Sequence, residues 1–212
     1  MLLHQTQILL PFAAGVAGYL LGAIPFAVIV ARRHGVDILK AGSGNPGATN
    51  VRRVCGNKAG NLVFALDTFK GIVSSSWPLL VGDSFADADS ILYAQLAGFA
   101  GAVIGHCFSV FLRFKGGKGV SVSVGGLCGV LPPCLAVAGT IWLAVYFLTR
   151  YVSLGSLMAG FSLPVTAAIF WGIADVRFWL CAGVALFIAI THRSNIVRLL
   201  RGGEHRFEKK KQ

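Results

Sequence analysis

Charge is what this sequence has least of. Only 13% of its 212 residues are Asp, Glu, Lys or Arg, against roughly 25% in a soluble domain. Acidic side chains number just eight. With 55% hydrophobic residues and a mean hydropathy of +0.72, that deficit excludes a soluble globular protein and leaves an integral membrane one.

Other absences narrow the chemistry. The five cysteines (Cys55, Cys107, Cys128, Cys134 and Cys181) have no C-x-x-C or other metal spacing, and all but Cys55 lie in apolar runs where small buried hydrophobes are expected. The inner loops identified below offer no ligand set at a recognisable spacing, so neither a metal nor another cofactor is expected. No G-x-x-x-x-G-K-[ST] run is present, which excludes a Walker A loop. The first apolar stretch lacks a basic segment ahead of it and is long enough to span, so it is read as a helix and not as a signal peptide. There are no repeats, no low-complexity linker and no second domain. One membrane-embedded domain over 1–212, with a short mobile basic tail at about 205–212, is the expectation.

Apolar stretches long enough to cross a bilayer occupy 8–31, 61–82, 91–112, 153–173 and 176–192. The run 120–149 is too long for one helix and is cut by Pro132 and Pro133, so it predicts a short helix, a turn and a second helix. The total is seven spans, or six if 120–131 does not cross. Charge favours seven. With the N-terminus outside, 17 of the 19 Lys and Arg fall on the inner side, Arg177 lies outside and Lys70 lies within a span. The outer turn 83–90 carries three aspartates, and Asp175 sits in another. That is positive-inside sorting, and it explains the net charge of +11 without invoking nucleic acid. The tail, RFEKKKQ, suits contact with anionic membrane lipid.

On that topology four polar segments emerge at one face: 41–53, 113–121, 151–156 and 191–207. In AGSGNPGATN, glycines 42, 44 and 47 permit positive φ and close approach, while Ser43, Asn45, Thr49 and Asn50 offer polar groups, a composition suited to cradling an anion. Arg52 and Arg53 follow as planar forks for phosphate or carboxylate. An ordinary turn with topology-setting arginines is the plainer alternative. KGGKG sets Lys115 and Lys118 around two glycines just before a helix start, where ammonium groups and amides can face a phosphate, or where a positive-inside turn simply falls. His192 and Asn195 are three apart and share a helical face, while Arg193 suits capping of a helix C-terminus. His106 has the setting of a packing residue. Asp67 and Lys70, three apart within a span, are each costly in hydrocarbon and are read first as structural supports paired with each other.

GSGNPGATNVRR, DTFKG, GHCFSVFLRFKGGKGVS, YVSLGS and HRSNIVRLLRGGEHRF, in this order, closely resemble the PlsY family of bacterial inner-membrane acyltransferases, over nearly the whole chain to about residue 207. The resemblance implies an all-α membrane fold of seven helices, N-terminus outside and C-terminus cytoplasmic, with the active site facing the cytoplasm. It implies transfer of a fatty acyl group from acyl phosphate to glycerol 3-phosphate. By the motif matches, Ser43, Arg53, Lys118, Ser156, His192 and Asn195 would line the glycerol 3-phosphate site, with Arg53 and Lys118 on its phosphate. Gly42, Gly44, Asn45, Gly47, Thr49 and Asn50, with Lys115, Gly116 and Gly117, would hold the acyl phosphate. The soluble enzyme that makes acyl phosphate is a further expected partner.

No Ser-His-carboxylate set at these positions points to a covalent acyl-enzyme. The H-x-x-x-x-D signature of acyl-CoA-using glycerophosphate acyltransferases is absent too: five positions beyond His106 is Phe111, and five beyond His192 is Val197. Direct transfer is therefore expected, with a substrate phosphate or His192 taking the proton. The chain departs from the family at Ser109, where proline is usual, and packing is expected to feel the difference. A transporter or binding protein for a phosphorylated solute is the alternative, although such proteins place polar groups near the bilayer midplane and not at one face.

Overall fold

The computed structural model describes residues 2–81 and 86–207, with side chains from Gln7 onward. Asp83 of the acidic 83–90 turn and the last five residues of the basic tail lie outside the described residues. Among the described residues the fold is all-helical. Two compact units divide at Leu131 and Pro132.

The first unit holds α1 (Leu2–Ala23), α2 (Phe26–Arg33), α3 (Ala48–Cys55), α4 (Asn57–Ser76), α5 (Ala88–Cys107) and α6 (Val120–Val130). The stretch 8–31, expected as one helix, is broken at Ile24 and Pro25. Pro25 has no N–H to donate and pushes the residue before it out of the helical region. Helix α5 packs along α1 and α4, and α6 lies against α4 and α5. Glycine makes these approaches possible: a Cβ on Gly105 would meet the Tyr19 carbonyl, one on Gly71 the Val122 carbonyl, and one on Gly125 the Thr68 carbonyl. Small residues at helix contacts are how membrane helices gain packing energy, since lipid supplies little hydrophobic drive. Under the first loop, Val28, Val30, Ile38, Val51 and Val63 form a buried cluster to which α2, α3 and α4 all contribute.

The second unit holds α7 (Pro132–Thr149), α8 (Val152–Trp171), α9 (Val176–Thr191) and α10 (Arg193–Leu200), with α8 packed against both α7 and α9. Helix α7 starts on Pro132, as the paired prolines predict, since proline suits a first helical turn. Asp175 caps α9, accepting from the Arg177 amide at 2.8 Å, and in the first unit Asp87 caps α5 from the Ser90 amide at 2.7 Å. Two acids expected in outer turns thus start the helices that follow them. Hydrogen bonds from Ser90 and Gln7 hold the Asp87 carboxyl below the usual carboxylate range.

Four stretches of the described residues are long and apolar enough to cross a membrane, and the α9–α10 pair, bent by 61°, makes a fifth if taken as one span. Helix α6, at 11 residues, is apolar but shorter than a full span, and α4 carries Asp67 and Lys70. Of the cysteines, Cys107, Cys134 and Cys181 are buried as expected, whereas Cys128 is exposed: apolar surroundings in a membrane chain include outward-facing positions.

Candidate active site

The loop 38–50 is built around one side chain. Asn50, 2% exposed, donates through Nδ2 to the carbonyls of Ala41 at 3.0 Å and Ile38 at 3.4 Å, and its Oδ1 accepts from the Ser43 amide at 2.9 Å and Arg53 Nη1 at 3.4 Å. Its amide therefore acts inside the loop as a brace and not as an outward donor. Gly42 and Gly44 adopt φ of +61° and +69°, as the sequence predicts. Gly47 does not: at φ −143° it is extended and sits at the N-cap position just before α3. The amides of the first turn of α3 and Arg53 thus issue from one braced segment, with Ser43 exposed beside them. Asn45 and Thr49 are half-buried in it.

The second loop, 113–119, is held from behind. The Gly116 amide donates to the Cys107 carbonyl at 2.9 Å and the Gly117 amide to that of His106 at 3.0 Å. Arg113 and Phe114 adopt φ of +52° and +62°, a left-handed pair that costs roughly 1–2 kcal/mol per residue, stabilised by the Phe114 amide bonding to the Ser109 carbonyl at 2.8 Å. No glycine announces that strain. Ser109 itself has φ −62°, which proline also adopts, and its Oγ donates to the Ala23 carbonyl at 2.6 Å. The backbone at Ser109 is thus one that proline could also take, and packing feels the difference through the hydroxyl, which ties this turn to the end of α1. Lys115 is exposed and Lys118 half-buried. Pro46 of the first loop and Gly117 of the second line one small cavity with Asp67, His106 and Ser109, so the structure brings these two loops together.

In the second unit His192 sits at the α9–α10 bend, 4% exposed, with Nδ1 2.9 Å from the Ile188 carbonyl. A carbonyl can only accept, so Nδ1 carries a proton, and in the neutral form of the ring Nε2 is the acceptor nitrogen. Asn195 follows one turn later and donates to Glu204 Oε1 at 2.7 Å. Ser153 Oγ donates to the same oxygen at 2.9 Å, and Arg198 Nε to Oε2 at 2.7 Å. Glu204 is the organiser that sequence reasoning missed; its signal was a lone acid in a basic segment. Burial raises its carboxyl, but the bonds from Asn195, Arg198 and Ser153 outweigh that and hold it below the usual range. Ser156 donates to the Val152 carbonyl at 2.9 Å and receives Trp142 Nε1 at 3.3 Å. Arg193 Nη1 reaches the Ile190 carbonyl at 3.4 Å, the cap expected of it. The tail is not loose where it begins: the Phe207 amide bonds to the Arg150 carbonyl at 3.1 Å and Arg206 Nε to that of Thr149 at 3.1 Å.

A family model described as glycerol-3-phosphate acyltransferase matches residues 12–202. A glycerol-3-phosphate acyltransferase of Aquifex aeolicus is 40% identical over 89% of this chain and 95% of its own. The crystal structure of PlsY (YgiH), an integral membrane glycerol 3-phosphate acyltransferase, superposes in its glycerol 3-phosphate form with a TM-score of 0.83 at 36% identity, over 93% of this chain and 96% of that one. The lysophosphatidic acid form of PlsY gives a TM-score of 0.78 at 38% identity, over 93% and 95%. With apolar helices of spanning length and identity of this extent along nearly its whole length, the chain is a multi-pass membrane acyltransferase and belongs to the glycerol-3-phosphate acyltransferase family.

Proposed function

We propose that this protein transfers a fatty acyl group from acyl phosphate to the 1-hydroxyl of glycerol 3-phosphate, releasing lysophosphatidic acid and inorganic phosphate. The observation that carries the reading is the pairing of two glycine- and cation-bearing loops around one cavity of the first unit. Two phosphates must be handled in such a reaction, and two loops of this composition are present. The family's glycerol 3-phosphate and lysophosphatidic acid structures support the acceptor and the product. The lack of an H-x-x-x-x-D motif supports a donor other than acyl-CoA.

In this reading Arg53 and Lys118 hold the phosphate of glycerol 3-phosphate, with Ser43, Ser156, His192 and Asn195 on the rest of that substrate. The 42–50 segment and Lys115, Gly116 and Gly117 receive the phosphate of the donor; Asn50 serves by holding that segment's shape. The hydroxyl oxygen attacks the acyl carbonyl carbon and forms the new ester C–O bond. Its proton passes to a substrate phosphate oxygen, whose second pKa is about 6, or to His192 Nε2. The carbon–oxygen bond to phosphate then breaks, and phosphate leaves with the electron pair. Acyl phosphate is already an activated anhydride, so positioning and charge stabilisation carry most of the catalysis.

The same reading gives seven crossings of the bacterial inner membrane, N-terminus outside, with the site at the cytoplasmic face where a soluble enzyme supplies the donor. Alanine at Arg53 or Lys118 tests it: each substitution is expected to remove about 2–4 kcal/mol of transition-state binding, roughly 30- to 1,000-fold in kcat/KM. Near-normal kinetics in both variants would overturn the phosphate clamp.

A further inference from the structure

Beneath the 113–119 loop lies a buried polar cluster to which the proposed reaction assigns no part. Asp67 and Lys70, on α4, have side chains 2% and 1% exposed, with Lys70 Nζ 2.9 Å from Asp67 Oδ1. The two form a buried ion pair. Lys70 Nζ also donates to the Ile24 carbonyl at 3.0 Å, at the break between α1 and α2, and lies 5.6 Å from the centre of the Phe26 ring. On the other side of Asp67, His106 Nδ1 stands 3.7 Å from Oδ1.

The far edge of that imidazole is what matters for the loop. His106 Nε2 packs so closely on Gly117 that a Cβ there would collide with it, and the His106 main chain already receives the Gly117 amide at 3.0 Å. A Cβ on Gly116 would likewise collide with the His106 carbonyl. The residue after Gly117 is Lys118. An unbroken line of contacts therefore runs from the α1–α2 break through Lys70, Asp67 and His106 to the peptide that bears the lysine. Burying two full charges inside a membrane chain is expensive. Glycine packing and the Ser109–Ala23 and Tyr19–Phe108 hydrogen bonds already join these helices without them.

We propose that His106, seated by the Asp67–Lys70 pair, is a positioning residue that fixes the backbone at Gly117 and so aims Lys118 at the phosphate of glycerol 3-phosphate. This inference rests on the phosphate-clamp reading above. Replacing the ring leaves space behind Gly117, and the loop gains freedom that the phosphate contact must then remove.

A double-mutant cycle with His106→Ala and Lys118→Ala in the full-length purified protein tests this, with KM for glycerol 3-phosphate and kcat read separately. Equilibrium binding of labelled glycerol 3-phosphate replaces KM wherever turnover is too slow to measure. His106→Ala is expected to raise KM about tenfold with kcat within about twofold, and to change affinity less than about twofold once Lys118 is already alanine. An equal effect in both backgrounds, or an unchanged KM in His106→Ala, would overturn the proposal. If Lys118→Ala alone leaves both constants unchanged, the clamp reading fails and takes the proposal with it. Should His106→Ala not yield a monodisperse protein, the same cycle with His106→Gln decides on the same criteria.

Discussion

Truncating Glu204 should loosen the second unit and impair catalysis together. The carboxylate accepts three hydrogen bonds of 2.7–2.9 Å, from Ser153, Asn195 and Arg198, and its side chain is only 7% exposed. Bonds to a charged group contribute about 1.5–3 kcal/mol each. The sum overstates the loss, because Arg198 is 36% exposed and water can serve it once the partner is gone. Asn195 and Ser153 are each 6% exposed and have no such relief. Glu204→Ala should therefore cost about 2–4 kcal/mol, roughly 6–12 °C in melting temperature for a chain of this size. Glu204→Gln, which keeps the shape and part of the bonding, should lose about half as much. Thermal unfolding in detergent, followed by tryptophan fluorescence, measures both. The pH dependence has a definite sign: the carboxyl is held below its ordinary value in the folded protein, so its contribution is complete above about pH 4.5 and is lost as pH falls through the lower folded value. Wild type should lose melting temperature in that acid range and Glu204→Gln should lose less. A Glu204→Ala protein melting within about 2 °C of wild type would refute the reasoning.

Two further substitutions follow from the same geometry. Lys70→Met leaves Asp67 buried without its cation and should cost about 3–5 kcal/mol, whereas Asp67→Asn combined with Lys70→Met should recover much of it; denaturation of the two variants compares them directly. Asn50→Ala removes the brace of the 38–50 loop, and turnover should fall at least tenfold while melting temperature falls by only a few degrees, as parallel kinetic and melting assays would show.

Much of the architecture was legible because prolines and apolar lengths act locally. Pro132 and Pro133 set the boundary between α6 and α7, and the paired charges three apart on α4 met each other as their spacing required. The break at Pro25 was equally local, but the apolar run around it concealed it. The two glycine- and cation-bearing loops of the first unit are legible from composition, and the structure brings them to one cavity. What stayed hidden depends on partners far along the chain. Glu204 is engaged by a serine 51 positions away, and Lys70 by a carbonyl 46 positions away, distances at which no periodicity speaks. The left-handed Arg113 and Phe114 escaped because only glycine advertises positive φ in a sequence. Composition counts Asn50 among the groups that cradle an anion, since it cannot tell a group that binds from one that shapes the binding loop.

The most direct test of the central claim is the choice of acyl donor. Purified protein in detergent or lipid is given labelled glycerol 3-phosphate with either acyl phosphate or acyl-CoA, and lysophosphatidic acid is measured. Product from acyl phosphate alone, strongly reduced in Lys118→Ala, is the predicted result. Product from acyl-CoA would contradict the donor assignment, and binding of glycerol 3-phosphate without product from either donor would contradict the enzymatic account.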